Sequence, residues 1–227
     1  MLTKEETKKL AAVKALEYIR PGTTIGIGTG STVYWFIQEL ARRVQQGFVC
    51  RAVPTSSDTN TLATRLGISM CALNDVTTID VTIDGADEID PQLNLIKGGG
   101  GALLQEKMVA AASDKLVIIA DSSKYVTQLG AFALPVEVIP YGWKQVQQHI
   151  QSMYKISTAL RMKNDQPLVT DHGHYILDSH FGQIPNALQL AQALNMIPGV
   201  VDNGLFIKMA REVIIADTAG NVKILRA

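Results

Sequence analysis

Short apolar segments alternate with longer amphipathic ones along the first half of this 227-residue chain, and few architectures accommodate that alternation. TTIGIG (23–28), FVCRAVPTS (48–56), Ile79–Ile83, Leu93–Ile96 and KLVIIAD (115–121) have the length and apolar character of buried strands. Between them, residues 4–19, a stretch from TGST to about Gln46, residues 59–66 and a stretch reaching about Ser113 carry helical signals. In the first of these, Ala12, Val13, Leu16 and Ile19 share a broad face and Pro21-Gly22 ends the helix. Strands that are apolar on both sides need cover on both faces. Parallel strands also need crossovers of about a dozen residues, which helices supply. The chain is therefore expected to form an α/β fold with an open, mostly parallel sheet covered by helices on both faces.

The pattern shifts near Pro135. LPVEVIP reads as a strand and Trp143–Ser152 as a helix. LVTDHGHYILDS reads as a hairpin turning at His172-Gly173, and residues 185–195 read as a second helix leading into IPGVVDNGLF. Residues 131–204 are thus expected to form a smaller α+β, ferredoxin-like domain, inserted into a Rossmann-like domain built from residues 1–130 and 205–227. The tail reads as strands with turns at Ala210-Arg211 and at Ala219-Gly220-Asn221.

Hydrophobic residues make up 47% of the chain, which excludes a disordered protein. Lysine plus arginine number 21 and aspartate plus glutamate 21, so no net charge points to nucleic acid or to an acidic membrane. No apolar run approaches the roughly 18 residues that span a bilayer. The N-terminus mixes both charge signs and lacks the apolar core of a signal peptide. Cys50 and Cys71 stand outside any metal-binding or redox spacing and read as ordinary thiols in a reducing compartment. The expected location is the cytoplasm.

In an open α/β sheet, ligands bind beyond the carboxyl ends of the strands. Four polar loops take that position: Gly28-Thr29-Gly30-Ser31-Thr32, Asp84-Gly85-Ala86-Asp87-Glu88, Lys97-Gly98-Gly99-Gly100-Gly101 and Asp121-Ser122-Ser123-Lys124; Thr55-Ser56-Ser57-Asp58 is a fifth candidate. The first loop suits a small phosphate or hydroxyl ligand at a helix start; the competing reading is a tight strand-to-helix turn with Ser31 or Thr32 as N-cap. It fails as a dinucleotide fingerprint, because Ser31 or Val33 stands where the last glycine belongs, and it lacks a P-loop lysine. The second packs four carboxylates into seven residues; carboxylates so crowded raise one another's pKa, as a proton donor near neutrality needs. No histidine lies nearby in sequence to favour a metal. In the third, bare N–H groups followed by a helix form a cradle for an oxyanion, with the charge of Lys97 beside it. Glu106 shares a helix face with Leu103, Val109 and Ala110, which would raise its pKa toward that of a general base; the competing reading makes Gln105, Glu106 and Lys107 a solvated strip. Lys124 offers a second cation for an anionic substrate. His172, His174 and His180 read as exposed residues of a hairpin and no metal is expected.

Taken in order, GTGST, VPTS, DGADEID, KGGGGAL with a following glutamate, ADSSK, LPVEVIP and IPGVVDNGLF resemble the type A ribose-5-phosphate isomerases over nearly the whole chain. The resemblance implies an aldose–ketose isomerase of the pentose phosphate pathway that interconverts ribose 5-phosphate and ribulose 5-phosphate without cofactor or metal. It implies that Glu106 is the base that moves a proton between C1 and C2 through an enediolate. Asp84 and Asp87 would contact sugar hydroxyls and assist ring opening. Lys97 and the glycines Gly98, Gly99 and Gly100 would stabilise the enediolate oxygens. Thr29, Gly30, Ser31, Thr32, Gly85, Ala86 and Lys124 would complete the substrate site. Members form dimers or tetramers, and the small domain is implicated in assembly. The alternative is a non-catalytic sugar-phosphate sensor on the same scaffold, which need not keep Glu106. An oxidoreductase is disfavoured by the failed fingerprint, and a related amino-sugar phosphate deaminase or acyl-CoA transferase by the DGADE and KGGGG pair.

Overall fold

A computed structural model describes residues 1–227. The first unit contains strands β1 (Thr24–Ile27), β2 (Arg51–Pro54), β3 (Val81–Asp84), β4 (Glu88–Ile89), β5 (Leu95–Ile96) and β6 (Leu116–Asp121), with helices α1 (Lys4–Ala15), α2 (Ser31–Gln45), α3 (Ser57–Arg65) and α4 (Leu103–Ala111) between them. The second contains β7 (Leu134–Val138), α5 (Trp143–Tyr154), β8 (Ser157–Leu160), β9 (Met162–Lys163), β10 (Gln166–Pro167), β11 (Tyr175–His180), α6 (Ala187–Asn195) and β12 (Val200–Asn203). The chain then returns through β13 (Leu205–Phe206), β14 (Ala210–Ala216) and β15 (Val222–Arg226).

The six-stranded sheet has the order β15-β14-β6-β3-β1-β2 and is parallel apart from the β14–β15 pair. Every residue of β6 is buried, and its side chains divide between two cores. Val117 and Ile119 join α1, α2 and Phe36 on one face, while Leu116, Ile118 and Ala120 join Ala110 of α4 and Phe206 on the other. This two-sided burial is why the strands read as apolar runs rather than as an alternation. The face of α1 is Ala11, Ala12, Ala15 and Leu16; Val13, expected on it, is 42% exposed. Three alanines let α1 approach the sheet closely, and that small-residue stripe carries the packing in place of the valine.

The second unit folds as β-α-β-β-α-β, with its four main strands in the antiparallel order β12-β7-β11-β8, the ferredoxin-like arrangement. It has its own core of Leu134, Val136, Ile150, Leu177, Leu194 and neighbours. We propose that 131–204 is the extent of this inserted unit.

Three local expectations give way. Ala210-Arg211 is no turn: both lie in β14, where a register shift between Ala210 and Glu212 marks a bulge, and the chain bends earlier, at Lys208, whose φ is 56°. Leu93 belongs to a turn (φ 59°) organised by Asp90, whose carboxylate accepts from the N–H groups of Gln92 and Asn94. The Thr170–His174 turn exists, with Gly173 at φ 79°, but β11 pairs with β7 and β8 rather than with residues 168–170.

Candidate active site

The order of the main sheet reverses at β1, with β2 on one side and β3 on the other. Loops leaving the carboxyl ends of two such strands diverge and leave a crevice. A polar cavity of about 140 Å³ lies there, and Ala86 is the one apolar residue among the 16 that line it. Thr29 to Thr32 come from the loop after β1 and Gly85, Ala86 and Asp87 from the loop after β3. Lys97 to Gly100 come from the loop after β5, and Lys124 from the loop after β6. Glu106 reaches the cavity from the first turn of α4. The helix face is the one its spacing indicates, with Leu103, Glu106, Val109 and Ala110 all buried. The solvated-strip reading fails for its neighbours too. Gln105 donates to Pro54 O at 2.9 Å, and Lys107 donates to Asp202 Oδ1 at 2.8 Å and Asn203 O at 2.6 Å.

Beneath the cavity lies a buried charge cluster. Lys97 Nζ donates to Gly85 O at 2.6 Å and lies 3.0 Å from Asp84 Oδ2 and 3.1 Å from Glu106 Oε1. The Gly85 carbonyl takes one ammonium hydrogen, and the two carboxylates share the charge of Lys97 as ion pairs. Lys97 is 2% exposed, Asp84 0% and Glu106 4%. One ammonium cannot neutralise two carboxylates withdrawn from water. Burial, opposed by Lys97 and reinforced by Asp84, pushes Glu106 up to about 8. Burial also raises Asp84 against the pull of Lys97. Burial alone would lower Lys97, but Asp84 and Glu106 together hold it above its ordinary value, so it stays charged. Glu106 Oε2 has no hydrogen-bond partner within the chain.

Asp84 is fully buried and is not among the residues that line the cavity. Its Oδ1 accepts from Gly85 N at 2.7 Å and Thr29 N at 3.2 Å. Only a glycine at position 28 leaves it room, since a Cβ there would stand 2.0 Å from Asp84 Oδ1 and 2.7 Å from its Cα. The acidic stretch is therefore not a cluster of crowded carboxylates. Glu88 turns away to accept from Gly130 N and Phe132 N, Asp90 closes its own turn, and Asp87 Oδ2 accepts from Gly99 N at 2.8 Å. What raises the Glu106 pKa here is first its burial and then the charge of Asp84, 22 residues away in sequence.

The glycine turn is partly self-satisfied. Gly99 N is taken by Asp87, and Gly101 N donates to Gly98 O at 3.0 Å, whereas the N–H groups of Gly98 and Gly100 have no partner in the chain. Gly98 and Gly101 have φ of 101° and 83°, which other residues rarely adopt. The N-cap of α2 is Gly30, at φ 119°, rather than Ser31 or Thr32. With no side chain to cap it, that helix presents unpaired N–H groups beside the cavity. The TSSD loop stands behind this wall. Thr29 Oγ1 lies 2.8 Å from Thr55 Oγ1, donates to Ser56 Oγ at 2.8 Å, and lies 3.2 Å from Thr59 Oγ1.

Lys4, Lys8 and Asp121 also line the cavity; sequence reasoning missed the two lysines and had Asp121 only as the first residue of the fourth polar loop, with no role of its own. Lys4 and Lys8 sit one turn apart on α1, a spacing that places them on one face. Nothing local distinguishes them from the other charges of that helix. Asp121 Oδ1 accepts from Ser123 N at 3.0 Å and from the Ser123 hydroxyl, and its Oδ2 is buried without a partner. The histidines are dispersed. His172 and His180 are exposed as expected and do not line the cavity, but His174 is half-buried, drawn in by the buried Glu137, whose Oε1 lies 3.0 Å from its Nδ1. No helix is long and apolar enough to cross a membrane.

The family model of ribose 5-phosphate isomerase A (phosphoriboisomerase A) matches residues 51–220. Ribose-5-phosphate isomerase A of Bacillus cereus (strain ATCC 10987) is 53% identical over 214 residues, covering 94% of this chain and 97% of its own. That of Rhodopseudomonas palustris (strain HaA2) is 48% identical, with both chains fully covered. A solved D-ribose-5-phosphate isomerase in complex with phospho-erythronic acid superposes with a TM-score of 0.95 at 39% identity, with all of both chains covered. Ribose 5-phosphate isomerase from Plasmodium falciparum gives 0.94 at 37% identity, covering 98% of this chain and 99% of its own. The chain belongs to the ribose 5-phosphate isomerase A family, and is an isomerase.

Proposed function

We propose that the protein interconverts D-ribose 5-phosphate and D-ribulose 5-phosphate through an enediolate, with Glu106 as the base, in the non-oxidative branch of the pentose phosphate pathway. The observation that carries this reading is the sharing of one buried lysine by Glu106 and Asp84 directly beneath a polar cavity. A base for a proton next to a carbonyl needs a raised pKa, and the charge that develops on oxygen needs a fixed cation. In the forward direction Glu106 takes the C2 proton of the open-chain aldose. The C–H electron pair becomes the C1–C2 double bond and the aldehyde π pair moves to O1. The proton then returns from Glu106 to C1, while O2 becomes the ketone and its hydroxyl proton passes to O1. Lys97, with the unpaired N–H groups of Gly98 and Gly100, faces the negative oxygens. Asp87, on the cavity wall, holds a sugar hydroxyl and exchanges its proton in ring opening. Asp84, one layer deeper, acts through Lys97. The start of α2 with Thr29 to Thr32, together with Lys4, Lys8 and Lys124, receives the phosphate.

The test is ribose 5-phosphate incubated with wild type and with Glu106→Gln in EDTA, following ketopentose formation. Wild type is expected to turn over. The variant is expected to retain sugar-phosphate binding and lose at least about 100-fold in kcat, the lower end of what a positioned acid–base group supplies. Binding without turnover by both proteins would reject this reading in favour of a sugar-phosphate sensor.

A further inference from the structure

The glycine turn is held from behind by a side chain of the second unit. Arg161 lies between β8 and β9, and its backbone is fixed by Arg161 N donating to Ile176 O at 2.8 Å and by its carbonyl accepting from Leu168 N at 2.9 Å. Its guanidinium meets Asp178 of β11 in a two-pronged pair, Nε to Oδ2 at 2.9 Å and Nη2 to Oδ1 at 2.5 Å. The remaining arm turns to the cavity loop, where Nη1 donates to Gly98 O at 2.6 Å and to Gly99 O at 3.2 Å. The arginine side chain is 13% exposed, so its bond to the buried Gly98 is largely sheltered from water, while Gly99 stands at the surface.

Those two carbonyls belong to the peptide units whose N–H groups are Gly99 N and Gly100 N. Gly99 N holds Asp87, and Gly100 N is unpaired at the cavity wall. A cation on the oxygen of a peptide withdraws electron density and makes its N–H a stronger donor, as in any chain of polarised hydrogen bonds. Four consecutive glycines are otherwise the most conformationally free run in the chain. An oxyanion site works only when its donors are already aimed before charge develops.

We propose that Arg161 is a positioning residue for the isomerisation, fixing and polarising the glycine turn so that Gly100 N–H and Asp87 are aimed at the reacting end of the sugar. The proposal rests on the reading above that this turn meets the enediolate. Arg161 itself does not line the cavity.

Arg161→Gln, Arg161→Lys and Asp178→Asn in the full chain test it. The measurements are kcat and KM for ribose 5-phosphate, inhibition by phospho-erythronic acid and by inorganic phosphate, and thermal melting. The carboxylate of phospho-erythronic acid spreads negative charge over two oxygens in a plane, as an enediolate does, whereas inorganic phosphate reports the anion end alone. Arg161→Gln is expected to lower kcat and phospho-erythronic acid affinity together by about 10- to 100-fold, less than removal of a direct oxyanion donor. KM and phosphate affinity should stay within about threefold. Arg161→Lys should recover part of the loss, and Asp178→Asn, which keeps the arginine but loosens its aim, should show the same split more weakly. A merely structural role would instead move melting and all ligands in parallel, and that result overturns the proposal. So does a folded Arg161→Gln with unchanged kcat and acid affinity. Should Arg161→Gln not fold, Asp178→Asn decides, and the absence of the split there rejects the proposal. A wild type that does not isomerise ribose 5-phosphate would overturn the functional reading and this proposal together. Wild-type turnover with an unaffected variant overturns this one alone.

Discussion

As the proposed base, Glu106 must be ionised to accept a proton, yet it is buried against Asp84 with one ammonium between them. On that assignment its pKa, pushed up to about 8 from an ordinary 4.5, would set the acidic limb of activity. We expect kcat/KM to climb with pH through an apparent pKa near that value, well above the range of a solvated glutamate, and a pH–rate profile checks it. The same shift has a sign in stability. Between 4.5 and about 8 the folded chain binds more protons than the unfolded one, so this group's contribution falls as pH rises through that window. Glu106→Gln removes the titration. Its melting temperature should therefore rise relative to wild type between about pH 5 and about pH 8.5. At this scale the sequence disclosed the identities and not the partners. The face of α4 made Glu106 legible, because helical spacing is local. The need for a bare Gly28 to seat Asp84 depends on β1 lying beside β3, and the pairing of Asp84 with Lys97 on where the loop after β5 comes to rest, neither of which a local pattern encodes.

α1 illustrates the scale of elements. Thr3 and Glu6 form a reciprocal cap: the Thr3 hydroxyl accepts from Glu6 N at 3.2 Å and Glu6 Oε2 accepts from Thr3 N at 2.8 Å. That cap fixes the first turns, from which Lys4 and Lys8 reach the cavity. Thr3→Ala is expected to cost about 1 kcal/mol of stability. It should also raise KM for the sugar phosphate severalfold while leaving kcat near wild type, since in the proposed function the lysines bind the anionic end and take no part in the proton transfer. Denaturant unfolding and steady-state kinetics on one preparation separate the two effects. Strands and helices were legible because two-sided burial leaves apolar runs bounded by glycine and proline. The edges were less so. The bulge at Ala210–Glu212 and the partners of β11 follow from pairings between distant segments, and a turn residue such as Lys208 at positive φ carries no compositional flag.

Across the whole molecule, buried polar ties join the two units. Lys97 N donates to Gly204 O at 2.9 Å, and a Cβ at Gly204 would stand 2.3 Å from Lys97 O, so the chain leaving the second unit passes directly behind the catalytic lysine proposed here. Glu88 and Lys107 hold Phe132, Asp202 and Asn203 from the first unit's side. Charged groups paired this deeply cannot be parted without leaving a charge unpaired away from water. The two units should accordingly unfold together. Trp35 stands on α2 and Trp143 opens α5, one reporter in each. Proteins carrying Trp35→Phe or Trp143→Phe are expected to show coincident urea midpoints by fluorescence, and separated midpoints would refute the coupling. The insertion was legible as a change in pattern near Pro135. Its grip on the glycine turn through Arg161 was not, because 62 residues separate Arg161 from Gly99.

The depth of Glu106 also bears on the fate of the hydrogen it carries. A carboxyl open to solvent trades its proton with water at once, but one that is 4% exposed and roofed by substrate trades it slowly. On the proposed assignment, a hydrogen lifted from C2 stays on the protein long enough for part of it to be handed back at C1. Deuterium placed at C2 of the aldose would then be divided between C1 of the ketose and the surrounding water, and the share carried across would measure how well the closed site keeps water out.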